Sequence, residues 1–60
     1  MKLIVSINYE IQTENGPEER IFSQEHSPDS TDKAKQLTVL ALTTQHPEAI
    51  IKEVTTNESV

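Results

Sequence analysis

In 60 residues the chain has no cysteine, no tryptophan, one glycine and only two aromatic side chains. Each scarcity removes a class of explanation. Without cysteine there is no disulfide and no thiolate metal site, two of the usual staples of so small a domain. A single glycine, Gly16, leaves no material for a glycine-rich phosphate loop. Tyr9 and Phe22, with five scattered bases, make no stacking platform for single-stranded nucleic acid. No apolar run approaches the ~18 residues needed to cross a bilayer. The opening Leu3-Ile4-Val5 is too short for the core of a signal peptide. The expectation is a cytoplasmic protein without membrane contact.

Hydrophobic residues are also sparse, at 33%. The chain therefore holds one core at most, because a domain of this size buries only about 60% of its unfolded surface and is marginal alone. Self-association, or a partner that completes the core, is correspondingly favoured.

Negative charge is abundant and unevenly placed. The net charge is −5, and all of it falls in residues 1–32, where seven acids face Lys2 and Arg20. Residues 33–60 carry three acids and three bases. A surface of this sign repels phosphate backbones, so direct nucleic-acid binding is disfavoured, whereas a basic protein is attracted. The simpler account of the same acids is solubility.

Residues 2–13 alternate with period two. Leu3, Val5, Ile7, Tyr9 and Ile11 lie on one side, and Lys2, Ser6, Asn8, Glu10 and Gln12 on the other, with Ile4 the exception. This predicts a strand over 3–12 with one buried face. Asn15-Gly16 supplies a tight turn, and Pro17 interrupts the ladder beyond it. A polar second strand is predicted over 19–26, suited to a sheet edge. Ser27, Asp29 and Ser30 are candidate caps for a helix over 31–45, which His46-Pro47 ends. Ala34, Leu37, Leu40 and Ala41 form its expected core stripe, with Val39 and Leu42 widening the apolar surface. A last strand is predicted over 49–56, and residues 57–60 are expected to be a flexible tail.

The fold class follows as α+β, a single ββαβ domain over 1–56. The longest, most apolar strand is central, giving a three-stranded sheet of order 2-1-3 with the helix on one face. Val5, Ile7, Tyr9, Leu37, Leu40, Ala41 and Ile50 are the expected core.

Chemistry-bearing constellations are thin. The serines and two histidines fall in no recognisable nucleophile setting, and a domain of this size has little room for an enzyme pocket. His26 and His46 are expected at opposite ends of the helix, too far apart to share a metal with Asp29 within one chain, though not across a dimer. Glu18 and Glu19, as strand neighbours, point to opposite faces and cannot flank one bond. No enzyme activity, metal or cofactor is expected.

The remaining candidate is the acidic hairpin: Glu10, Gln12, Glu14, Glu18 and Glu19. Alternate carboxylates on a strand lie about 6.6–7 Å apart, close to the phosphate spacing of a nucleic-acid strand. Such a row suits the basic groove of a nucleic-acid-binding protein. In its order of elements the chain is similar to many very short bacteriophage and mobile-element proteins, some of which inhibit host enzymes or defence complexes. That resemblance extends over the whole chain at the level of architecture only and carries over no functional residue, so a small inhibitor is one form the function can take. The expected function is thus a protein-binding module for a basic partner. The alternative is a self-associating subunit, a homodimer through a strand edge or the open sheet face.

Overall fold

The alternation of the first segment organises the molecule. In a computed structural model that describes residues 2–27 and 30–59, strand β1 (Lys2–Thr13) buries Leu3, Val5, Ile7, Tyr9 and Ile11 and leaves the residues between them at least partly exposed. Strand β2 (Gly16–His26) pairs antiparallel with β1 along its length, from Thr13 opposite Gly16 to Leu3 opposite His26. Gly16 has a φ of +105°, a left-handed conformation that favours glycine. The Thr13 hydroxyl supports the turn, accepting from the Asn15 amide at 3.2 Å and donating to the Gly16 carbonyl at 2.8 Å.

The second strand starts three residues earlier than its side-chain pattern predicts. Pro17 lies inside β2, opposite Gln12. An edge strand accommodates this, because a residue there can direct its missing N–H away from the ladder.

Helix α1 (Thr31–Gln45) begins at Ser30, whose extended backbone and side-chain oxygen, accepting from the Lys33 amide at 3.2 Å, form an N-cap. Asp29, the other candidate inside the Pro28-Asp29 pair, lies outside the described residues. The His46 amide donates to the Leu42 carbonyl at 2.8 Å, and Pro47 prevents continuation. Strand β3 (Ile50–Ser59) then pairs antiparallel with the free side of β1. The sheet order is β2-β1-β3 and the class is α+β, as the sequence predicts. β3 extends through Asn57, Glu58 and Ser59, opposite Ile4, Leu3 and Lys2, where a loose tail was expected from residue 57. Backbone pairing with β1 holds this polar stretch, which has no apolar alternation to announce it. Val60 lies outside the described residues.

The helix face is corrected most. Its buried residues are Ala34, Thr38 and Leu42, whereas Leu37 and Leu40 are exposed and Ala41 is half-buried. Ile50 is exposed as well. Apolar residues lie all around this helix, so periodicity alone does not select the packed side. Small side chains do: Ala34 fits against Leu3 and Val5, and Leu42 fills the other end among Ile7, Tyr9 and Ile11. Thr38 sits between them fully buried, with its hydroxyl donating to the Ala34 carbonyl at 2.8 Å. That donation uses its only proton, so the His26 Nε2 at 2.7 Å must itself carry hydrogen and donate to Thr38. The buried hydroxyl is thereby satisfied, and a threonine can occupy a core position.

Among the described residues no helix is long and apolar enough to cross a membrane. Leu42→Ala is expected to cost about 2–5 kcal/mol, whereas Leu37→Ala should stay within about 0.5 kcal/mol of the parent. Urea unfolding of the two variants checks this, and equal losses would show that the helix packs on another face.

Candidate functional site

The helix covers one side of the sheet and leaves the other open. Even-numbered residues of β1 face the open side, joined through the register by Pro17, Glu19, Ile21, Ser23 and Glu25 of β2. From β3 come Glu53, Thr55 and Asn57, opposite Asn8, Ser6 and Ile4. Ile50, opposite Glu10, also lies on this face, so the face is mixed: polar residues predominate, with Ile21 and Ile50 exposed beside the acids. Ser6 and Ser23 hydroxyls meet at 3.0 Å across the strands, and the Thr55 hydroxyl donates to the Ser6 carbonyl at 3.4 Å.

Its acids concentrate at the hairpin half. Glu10 stands directly opposite Glu19, and Glu53, opposite Asn8, is the diagonal neighbour of Glu10 on the other side. A register shift beside Asn8 and Tyr9 pairs Asn8 with Glu53 and Tyr9 with Ile51, leaving Lys52 as the extra residue. A bulge of this kind re-aims a side chain. Lys52 Nζ comes to 3.7 Å from Glu10 Oε1. Lys2 and Glu25 pair at 3.3 Å at the far end of the face. Among the described residues Glu14, Glu19 and Glu53 have no ion-pair partner.

The predicted row is therefore only partly assembled. Glu10, Gln12 and Glu19 share the open face, and Glu14 lies in the turn. Glu18 pairs with Ile11 and lies on the helix side, held by Arg20 at 3.1 Å from its Nη2. Glu53 and Glu25 join the face without having been singled out. Alternation within β3 puts Glu53 on one side of the strand, but only the register brings it beside Glu10.

The histidines are engaged separately. The His46 ring stacks on Tyr9, with centroids 5.9 Å apart and planes inclined by 26°, and its Nδ1 is 3.5 Å from Glu48 Oε1. His26 serves Thr38 and is half-buried. Among the described residues no group of three or more histidines and carboxylates is close enough to hold a metal ion.

A second surface feature lies on the helix side. Lys35, Gln36, Val39, Leu40 and Thr43 of α1, with Val54 of β3, line an open groove of about 430 Å³. It falls within the usual size range of ligand pockets, larger than the sequence led one to expect. No histidine or carboxylate lines it.

Comparison with family models, curated proteins and solved structures finds no match to this chain. The fold and the two surfaces are thus the basis for any functional reading.

Like charges directly opposite in a sheet are destabilising, by a magnitude of about 0.2–1 kcal/mol for such pairs. Glu19→Gln should therefore raise the unfolding midpoint slightly at low ionic strength, with the gain shrinking as salt screens the pair. Thermal unfolding across a salt series reads this out, and a lower midpoint would mean that Glu19 supports the fold.

Proposed function

We propose that this chain is a non-enzymatic, acidic protein-binding module of the cytoplasm. Its open sheet face docks on a basic surface of a larger protein, one whose own ligand is a nucleic acid. A small inhibitor that occupies such a groove is the most economical form of this activity, because the module needs only to present charge at the right spacing. The partner is a protein and not nucleic acid, since a face of this sign repels phosphates.

The observation that carries the reading is the direct opposition of Glu10 and Glu19, with Glu53 alongside. Acids needed only for solubility do best when spread apart. Here three strands bring them together on the open face, with Glu19 and Glu53 exposed and Glu10 half-buried beside Lys52, although like charges directly opposite in a sheet oppose folding. Gln12 extends the row toward the turn, where Glu14 adds charge. The lysine at 3.7 Å from Glu10 is partly exposed, so it moderates the patch without neutralising it.

Pull-down from lysate at low salt, followed by binding measurements on the captured protein, tests the proposal. A Glu10→Gln, Glu19→Gln, Glu53→Gln variant should associate about tenfold or more slowly and show a shallower salt dependence, with its fold unchanged by circular dichroism. An unchanged association rate and salt slope would remove the open face from the interaction.

A further inference from the structure

The two edges of the sheet are not alike. β2 exposes its edge behind Pro17, Glu18, Glu19, Arg20 and Glu25, the proline and charges with which edge strands resist pairing. β3 has no proline, and five of the seven residues from Ile50 to Thr56 are β-branched, the composition that favours pairing; its charges and bulge are confined to Lys52, Glu53 and Glu58, which leaves Val54-Thr55-Thr56 as an uncharged stretch. Beside this uncharged stretch lies the apolar groove, whose floor includes Val54 and whose wall includes the exposed Leu40.

We propose that the β3 edge and the adjoining groove are the interface of a homodimer, with β3 pairing antiparallel to β3 of a second copy about a twofold axis near Val54. The result is a six-stranded sheet of order 2-1-3-3-1-2 with both helices on one side. This inference is independent of the acidic face, which it leaves open on the opposite side of the sheet.

Three observations favour a second copy as the occupant. The first is charge. Residues 33–60, which supply β3 and the groove, carry three acids and three bases, whereas the whole excess of −5 lies in residues 1–32. Two copies joined through β3 meet over their neutral halves and keep their acidic hairpins at the outer edges of the sheet. An axis at Val54 also sets Glu53 opposite Thr55 and Lys52 opposite Thr56, so no like charges face one another.

The second is spacing. Because α1 packs mainly over β1, the two helix axes would be separated by three strand spacings, about 14 Å, against a helix diameter of about 10–12 Å with side chains. That separation exceeds the about 8–10 Å of directly packed helices, so the two helices flank a shared channel that Val39 and Leu40 border in both copies. The two grooves thus face each other across the axis, as a twofold interface requires of a self-complementary surface.

The third is shape. The Cα radius of gyration is 12.3 Å, above the about 10 Å expected of a compact chain of this length, and the molecule measures 40 × 19 × 13 Å. Such a thin slab leaves much of its surface in water. Joining two slabs edge to edge shares a core between them without any further segment.

The test is the mass of the purified chain in solution, by sedimentation equilibrium from micromolar to millimolar concentration, together with three variants. The expected result is twice the 6.8 kDa of one chain, with dissociation on dilution. Leu40→Glu should shift the protein to monomer with its circular dichroism spectrum retained, since Leu40 is 62% exposed within one chain. The natural chain has no cysteine, so Val54→Cys should form a disulfide-linked dimer on mild oxidation. Directly opposed strand residues have Cα atoms about 4.5–5.5 Å apart, within disulfide reach. Ile21→Cys, on the other edge strand, serves as the control. A monomer at millimolar concentration overturns the proposal. So does a dimer that Leu40→Glu leaves intact, or a Val54→Cys variant that crosslinks no faster than Ile21→Cys.

Discussion

Everything in this domain depends on the burial of one side of β1. Leu3, Val5, Ile7, Tyr9 and Ile11 are the greater part of the apolar core, and both neighbouring strands and the helix are arranged around them. Burying a side chain of this class contributes roughly 1.5–3 kcal/mol. No other element offers more than one or two such residues. The central place of β1 follows: only in the middle of the sheet can its inner side chains be flanked by both partners and capped by α1.

The helix adjusts to that strand. Ala34 and Thr38 are small enough to let it sit close, and Leu42 closes the end near Tyr9 and Ile11. The chain of hydrogen bonds from His26 to Thr38 to Ala34 then ties β2 to the helix through a buried hydroxyl. Leu37 and Leu40 are left outside. For one chain alone this forgoes apolar burial, and it is the clearest sign that the monomer does not use all of its hydrophobic surface.

The two sides of the sheet thus have different characters. The helix side holds the core and, at its β3 flank, an apolar groove bordered by the β-branched stretch of an edge strand. The open side is predominantly polar and gathers acids from three strands. The first side offers apolar surface and the second offers charge, and β3 contributes to both, Val54 to the groove and Glu53 to the open face.

The alternation in residues 2–13, the Asn15-Gly16 turn, the capping serine and the His46-Pro47 stop determined the elements and their order, because each is a local property of the backbone and its immediate side chains. Centrality of β1 was equally legible, since no other segment has as many apolar residues on one face. The packed face of the helix was not. With apolar residues all around it, the selection between Leu37-Leu40 and Thr38-Leu42 rests on how closely a side chain lets two elements approach, and on the availability of His26 as a donor. The acidic site was legible in part: parity placed Glu10 and Gln12 together, but Glu18 went to the far side and Glu53 came in from a distant segment. Strand register and the bulge at Lys52 decide those neighbours, and they form only when three separate stretches of chain meet in one sheet.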